Sequence, residues 1–322
     1  MKIGYIGGFW ATNIGNSFYN LGALHLLKKV FGEDDVYFIP DPPQEYWSKI
    51  NNDYKWIQNL DLDLFIITGP SFNRGHIDVF KDIFDVLKEK NKKIAYLSVG
   101  ASKYTDEEAN LVSDFLNKYP VEFIMTRDEL TYNLYKDRVH TKIFNGICTS
   151  MFLNDAVNVP KVNDDYIVSN FSYFKEPYIE YKNNKWIYRH SLFPNFQTKI
   201  DGYKIVRPNN ASFIPTIPKL HKGQMLFNRD NIYYSDSPYG YLSILKSAKK
   251  VFSDRVHTCA GTLILGGEAM YIKGSRRSRD GRKSLFNRIG LGDIFKHPVS
   301  LDFKFIEKEK MEIFLNEYKK SI

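Results

Sequence analysis

The chain has 322 residues, of which 43% are hydrophobic and 25% are charged, which excludes a disordered chain and allows two domains with buried cores. Its net charge of +8 favours an acidic partner, such as a phosphorylated substrate, an anionic membrane surface or a nucleic acid. The two cysteines, Cys148 and Cys259, lack metal-type spacing, which argues against a disulfide framework or a zinc site. No apolar run approaches the ~20 residues of a membrane span. The amino terminus does not resemble a signal peptide, so we expect a cytoplasmic protein with at most peripheral contact with the inner membrane face.

The first half of the chain alternates between apolar runs typical of strands and amphipathic stretches typical of helices. Strands are predicted over residues 2–6, 36–39, 64–68, 93–99, 122–126 and 142–145, and helices over residues 17–30, 77–90, 105–119 and 129–135. Repeated strand–helix units predict a parallel sheet that is covered on both faces. Ligands bind beyond the carboxyl ends of such strands. The sequence has polar loops there, at residues 7–16, 69–74, 100–103 and 127–129.

A polar segment with a proline, residues 154–165, predicts a boundary between one domain over residues 1–158 and a second over residues 159–322. Strands are predicted in the second part over residues 166–173, 231–234, 250–253 and 269–272, and helices over residues 239–250, 260–267 and 308–320. Residues 175–222 carry many aromatic residues and five prolines without a clear period, which indicates irregular or β structure.

The segment Ser253-Asp254-Arg255-Val256-His257 ends a short apolar run and precedes a helix of small residues. If the segment is extended, Arg255 and His257 lie on the same face. Arginine is a fixed cation with donors suited to carboxylate or phosphate, and histidine can transfer a proton near neutral pH. Anions bind well where a strand meets a helix amino terminus. The pair therefore indicates an anion held beside a proton donor, with two unconnected surface residues as the alternative.

Several further segments accompany this motif in a characteristic order. They are Asn13-Ile14-Gly15-Asn16, Thr68-Gly69-Pro70-Ser71, Leu97-Ser98-Val99-Gly100-Ala101-Ser102 and Thr126-Arg127-Asp128-Glu129. In this order the chain resembles the polysaccharide pyruvyl transferases over most of its length. The resemblance implies an α/β fold of two Rossmann-like domains that face a cleft, as in the GT-B glycosyltransferases. It also implies phosphoenolpyruvate as donor, a sugar or lipid-linked glycan as acceptor, and a pyruvate ketal on a cell-wall, capsule or exopolysaccharide glycan as product.

Some positions depart from the family's pattern. Asn16 stands where the first loop usually carries an acidic residue, and Cys148 stands where many members have the aspartate of a Gly-Ile-Asp sequence. The loss of an acid could change the acceptor, a structural contact or the activity. A lysine that the family carries after the histidine corresponds by counting to Arg277, within a basic stretch, residues 273–283, that also contains Lys283.

Phosphoenolpyruvate carries a carboxylate and a phosphate on one small enol, so its site needs several cations, a general acid and little bulk water. Neither a metal nor a cofactor is required in principle. His257 suits the acid, and Arg255 and Arg127 suit anion binding from the two walls of the cleft. The other residues predicted to bind substrate are Asn13, Gly15, Ser71, Arg277 and Lys283.

The residues by themselves leave alternatives open. Arg127 could pair with Asp128 or Glu129, and Asn13 could hold a turn. The basic stretch at residues 273–283 could be a solvated loop or a patch for nucleic acid or anionic lipid, although we expect no nucleic-acid partner. A glycosyltransferase that uses a nucleotide sugar and a non-catalytic binder of anionic polymer are the competing functions. The loop at residues 7–16 lacks the dinucleotide and phosphate-loop patterns, which argues against a nicotinamide enzyme or an NTPase.

Overall fold

The computed structural model describes residues 1–8, 14–41, 59–69, 71–171, 175–190, 197–209, 232–234, 237–272, 281–301 and 306–322. Two predicted site residues, Asn13 and Arg277, lie outside these ranges. Lys283 lies within a helix, but its side chain is outside the described part of the chain.

A parallel sheet occupies the first half. Its strands are β1 (Ile3–Gly8), β2 (Val36–Asp41), β3 (Leu64–Thr68), β4 (Ser71–Phe72), β5 (Lys93–Ala101), β6 (Val121–Thr126) and β7 (Lys142–Asn145). The order is β2-β1-β3-β5-β6-β7, with β4 beside the end of β5, and every pairing is parallel. Every residue of β3 is buried, as expected of a strand covered on both faces. The predicted parallel sheet is confirmed.

The helices of the first half are α1 (Ile14–Phe31), α2 (Arg74–Glu89), α3 (Asp106–Leu116), α4 (Glu129–Tyr135) and the short α5 (Leu153–Ala156). Three begin at side-chain caps: Asn73, Thr105 and Asp128 accept hydrogen bonds from backbone N–H groups of the first turns of α2, α3 and α4. The cap predicted at Thr105 is confirmed. These caps explain why each helix begins directly after a strand or loop on the carboxyl side of the sheet.

A second, smaller sheet follows. Its strands are β8 (Tyr166–Asn170), β11 (Lys199–Ile200), β12 (Tyr203–Asn209), β13 (Ile232–Tyr234), β14 (Lys250–Ser253) and β15 (Ala269–Tyr271), and a separate antiparallel hairpin consists of β9 (Tyr178–Lys182) and β10 (Lys185–Arg189). The order is β11-β12-β8-β14-β15, with β13 beside β12. Apart from the antiparallel pair β11–β12, the pairings are parallel.

The helices of the second half are α6 (Pro238–Ser247), α7 (Val256–Ile264), α8 (Gly281–Arg288) and α9 (Ile306–Lys320). Helix α7 begins earlier than the predicted start at residue 260, directly after β14. Helix α9 packs on the first sheet, where Phe314 contacts the rings of Phe123 and Phe144. Among the described residues, no helix is long and apolar enough to cross a bilayer.

Helix α1 packs between the two halves. A Cβ atom on Gly22 would lie 2.0 Å from the carbonyl oxygen of Thr149, and one on Gly261 of α7 would lie 3.0 Å from the ring of Phe18. Glycine at both positions therefore allows α1 to approach its neighbours closely. One hydrophobic cluster extends from the first sheet through α1 to the second sheet. The division into domains at residues 158 and 159 stays a prediction.

In each sheet, the order in which successive strands are added changes side once. The chain passes from β1 to β2 on one side and then to β3 on the other, and likewise from β8 to β12 and then to β14. Such a reversal leaves a crevice at the carboxyl ends of the central strands, which is where open α/β sheets bind ligands. The two crevices, beyond β1/β3 and beyond β8/β14, are the natural places for a site.

Candidate active site

Strand β14 leads directly into the helix that carries the predicted acid. The strand ends at Ser253, Arg255 is the N-cap residue of α7, and His257 lies in the first turn. The two residues do not alternate along an extended segment, because the backbone enters the helix between them. Both nevertheless lie at the amino end of α7, where backbone N–H groups and the helix dipole favour an anion.

A buried hydrogen-bond network fixes this turn at the crevice of the second sheet. The Asn170 side chain accepts from the hydroxyl of Thr258 at 2.9 Å and donates to the carbonyl of Pro208 at 2.8 Å. The hydroxyl of Ser253 donates to the carbonyl of Asn170 at 2.7 Å and accepts from the backbone N–H of Arg255 at 2.9 Å. Asn170 thus joins β8, β12 and α7. No pattern in the sequence points to Asn170, since a single asparagine at a strand end has no distinguishing signal.

His257 contacts two residues of the first half. Its ring lies 5.2 Å from the ring of Tyr19, centroid to centroid, at an angle of 58°. Its Nε2 atom lies 4.0 Å from the sulfur of Cys148, the outer limit of a hydrogen bond to sulfur. Tyr19 itself packs on Gly69, just beyond β3, where a Cβ atom would lie 2.1 Å from the tyrosine ring. The structure therefore places His257 against the carboxyl edge of the first sheet.

Arg127 follows β6 at the same edge. Its backbone N–H donates to the carbonyl of Val99 at 2.8 Å, and its guanidinium packs over Gly100. The predicted alternative, an ion pair with Asp128, is present but long, at 3.9 Å. Burial raises the pKa of Asp128, although Arg127 acts in the opposite direction together with the hydrogen bonds from Thr131. The side chain of Arg127 is 24% exposed, so its cation remains accessible.

The remaining predicted residues are only partly brought together. Ser71 of β4 is in register with Gly100 of β5, so it lies beside the position over which Arg127 packs. Gly15 and Asn16 belong to the first turn of α1 rather than to a loop, because the helix begins at Ile14. Of the loop expected at residues 7–16, residues 7 and 8 belong to β1 and residues 14–16 to α1, and the others lie outside the described part of the chain.

Three consecutive residues of β5 link the two parts of the site. The hydroxyl of Ser98 accepts from the backbone N–H of Thr149, the residue after Cys148, at 3.0 Å. Val99 and Gly100 hold Arg127, as described above. Ser98 has a φ of 61°, and the pairing of β5 with β6 shifts register at this point. A left-handed non-glycine residue in a strand indicates a conformation that its surroundings impose.

The two sheets are parallel apart from the pair β11–β12, and each has a crevice at its carboxyl edge. The candidate acid of one lies against the edge of the other, and together they define a GT-B-like α/β protein. The sequence matches the family model for polysaccharide pyruvyl transferase over residues 13–275. The chain therefore belongs to the polysaccharide pyruvyl transferase family, a family of transferases that act on polysaccharide.

Solved structures agree with this fold. A Listeria monocytogenes protein assigned as a UDP-N-acetylglucosamine 2-epimerase superposes with a TM-score of 0.53 and 10% identity, over 100% of this chain and 89% of the other. The S. aureus MnaA–UDP co-structure gives a TM-score of 0.51 and 12% identity, over 100% of this chain and 87% of that one. Identities this low bear on the fold alone. No curated protein matches the sequence significantly.

Proposed function

We propose that the protein transfers the pyruvyl group of phosphoenolpyruvate to two hydroxyls of a glycan and forms a cyclic ketal. His257 is the general acid, and Arg255 and Arg127 bind the anionic groups of the donor. The position of His257 carries this proposal, because it lies at a helix amino end, in the crevice of the second sheet, and against the first sheet. Membership of the family supplies the reaction class.

Protonation of phosphoenolpyruvate precedes attack by the glycan hydroxyl. Transfer of a proton to the methylene carbon converts it to a methyl group and leaves positive charge on the adjacent carbon. One glycan hydroxyl attacks that carbon, phosphate leaves, and the second hydroxyl closes the ring. Of the two hydroxyl protons released, one replaces the proton given to the methyl group and the other leaves with phosphate. General acid catalysis of this kind typically contributes ~10²–10⁴-fold.

The surroundings of His257 suit a proton donor to an anionic substrate. The positive end of the α7 dipole disfavours a protonated imidazole, and a phosphate or carboxylate bound beside the ring would offset this through direct charge attraction. The Tyr19 ring and the buried Cys148 cover the ring from the first half, which limits bulk water. His257 itself is half-buried, so a donor can reach it.

The cations come from both halves. Arg255 occupies the N-cap position of α7, and Arg127 extends from β6 over Gly100. Binding of one small dianion by both would draw the two crevices together. Ser71 and Gly15, with Asn13, Arg277 and Lys283, are the further substrate contacts that we propose. A lipid-linked acceptor would bring the protein to the cytoplasmic membrane surface, whereas a soluble sugar would not.

Phosphate release from phosphoenolpyruvate with a panel of glycan acceptors tests the reaction. We expect acceptor-dependent release by the native protein and a loss of ~10²-fold or more in His257→Ala. The matched control is His140→Ala, which removes an exposed histidine between α4 and β7. Thermal stabilisation by phosphoenolpyruvate should weaken in Arg255→Ala and Arg127→Ala.

Two other outcomes would overturn the proposal. Stabilisation by nucleotide sugars but not by phosphoenolpyruvate would indicate a glycosyltransferase. Salt-sensitive binding of anionic polymer, unchanged in His257→Ala and without phosphate release, would indicate a non-catalytic binder.

A further inference from the structure

Cys148 contacts the proposed acid directly. It lies between β7 and the 3-10 turn at Thr149–Phe152, it is 1% exposed, and its sulfur is 4.0 Å from Nε2 of His257. The hydroxyl of Ser150 donates to the same sulfur at 3.2 Å. A thiol can donate weakly to a neutral imidazole nitrogen, and its sulfur can accept weakly from a protonated one. The sulfur is therefore able to respond to either protonation state of His257.

The backbone around Cys148 is held from several directions. Arg288 of α8 donates to the carbonyls of Asn145 and Gly146 at 2.8 Å and 2.7 Å. The N–H of Thr149 donates to Ser98, as described above. A Cβ atom on Gly146 would lie 2.8 Å from the carbonyl oxygen of Thr126, so the turn also packs closely on β6. These contacts fix the sulfur in place, so it can orient the ring that it touches.

The other titratable or charged side chains near the start of α7 come from several elements. Among the described residues they include Tyr19 on α1, Tyr241 on α6, Asp254 and Arg255 next to the helix start, and Cys259 within α7. Tyr19 packs on the imidazole ring at a tilted angle, whereas Cys148 contacts Nε2, one of the two ring nitrogens that can carry the proton. A change of charge at residue 148 should thus act on His257 more directly than one elsewhere.

We propose that Cys148 is a positioning residue for His257. Its sulfur orients the imidazole through Nε2 and influences how readily the ring takes up a proton. The catalytic part of this inference rests on the function proposed above. The structural part, coupling between residue 148 and the titration of His257, does not.

Titration of the His257 ring by NMR, in the full chain without substrate, tests the coupling. Cys148→Asp places a carboxylate beside Nε2 and should raise the midpoint of the His257 titration by about one unit or more, because a nearby negative charge favours the imidazolium. Cys148→Ala and Cys148→Ser remove the sulfur and should change the midpoint and the ring chemical shifts. The control is Cys259→Ala, since Cys259 is equally buried but its sulfur contacts the carbonyl of Met270.

The pH profile of acceptor-dependent phosphate release supplies the catalytic readout. In Cys148→Ala we expect kcat to fall about 3- to 10-fold, the effect of losing one hydrogen-bonding partner, with KM for phosphoenolpyruvate nearly unchanged. In Cys148→Asp the basic limb of the profile should move upward with the His257 midpoint.

The results separate the two proposals. If the His257 midpoint in the Ala, Ser and Asp variants equals that of the native protein, the positioning role is wrong. If the midpoint moves but no variant, nor the native protein, releases phosphate, the coupling stands and the proposed reaction fails. Should Cys148→Asp not fold, the Ala and Ser variants decide the question on their own.

Discussion

The guanidinium of Arg127 lies over the α-carbon of Gly100, so close that a Cβ atom on residue 100 would be 2.2 Å from Nε and 2.6 Å from Cζ. The close approach is part of how β5 and β6 present the cation at the edge of the first sheet. Gly100 has an ordinary strand conformation, so the absence of a side chain, rather than a special backbone angle, is what the position requires.

Gly100→Ala should therefore displace the Arg127 side chain while the fold persists. We expect stabilisation by phosphoenolpyruvate to weaken as much as in Arg127→Ala, and the double variant Gly100→Ala/Arg127→Ala to be no worse than either single variant. Binding measured by calorimetry for the three proteins checks this. Additive losses would show that Gly100 acts independently of Arg127.

Because Thr258 is hydrogen-bonded to Asn170, we expect substitutions of two threonines of α7 to differ in their effect on activity. Thr258→Val removes the hydroxyl that Asn170 accepts from, which should loosen the turn that carries His257 and reduce kcat/KM by about 3- to 10-fold. Thr262→Val is the matched control, because its equally buried hydroxyl donates to the carbonyl of Thr258 within the helix. Equal kinetic effects in the two variants would argue against a role for Asn170 in holding the site.

At Ser98, we expect the glycine variant to be more stable than the alanine variant, the reverse of the usual order of stability. Both substitutions lose the hydrogen bond to Thr149, but only glycine accepts a φ of 61° without strain. Ser98→Gly should be more stable than Ser98→Ala by ~1 kcal/mol in urea unfolding. Ser113, a buried serine within α3, supplies the comparison, because there glycine should be the less stable by ~1 kcal/mol. The same order at both positions would contradict the strain at Ser98.

Because His76 is buried, we expect the protein to lose stability in mild acid. Burial among Phe72, Phe80 and Tyr96 lowers its pKa to about 3, and its Nε2 lies 2.8 Å from the Tyr96 hydroxyl. The unfolded chain, with an ordinary histidine pKa near 6.5, binds more protons than the folded one between these two values. His76 therefore lowers the free energy of unfolding only below pH ~6.5, by ~1.4 kcal/mol for each pH unit.

Free energies of unfolding at pH 7.0, 6.0 and 5.0 test this contribution. His76→Gln keeps a partner for Tyr96 but does not titrate, so its stability should depend less on pH than that of the native protein. The exposed His140→Gln serves as the control and should retain the native dependence. Parallel pH curves for all three proteins would show that His76 is not the responsible group.

Much of the fold could be predicted because its signals are local. The strand at Leu64–Thr68 is a continuous apolar run, and the helix after Thr105 begins at a side-chain cap, so both were found within a few residues. Helix α7 was predicted to begin too late. Its first turn, with Arg255, Val256 and His257, lacks a side-chain cap that would indicate its start.

In the candidate site, too, only the residues with a local signal could be predicted from the sequence. His257, Arg255 and Arg127 could be proposed from the sequence because their residue types suit an anionic substrate and each follows a strand. Asn170 could not, since its importance depends on partners that are distant in the sequence, Pro208 and Thr258. Cys148 was recognised only as a departure from the family's pattern, and its contact with His257 joins residues from opposite halves of the chain.

The alternation of strands and helices, the family and the residue types available for catalysis can be read from the amino-acid sequence, because these depend on neighbours a few positions away. Which of those residues meet depends on the packing of the whole chain. Helix α1 packs by way of Gly22 and Gly261 against both halves, and this packing brings Tyr19 and Cys148 to His257. Contacts of this kind arise from the shape of buried surfaces across the whole chain, which no local pattern records.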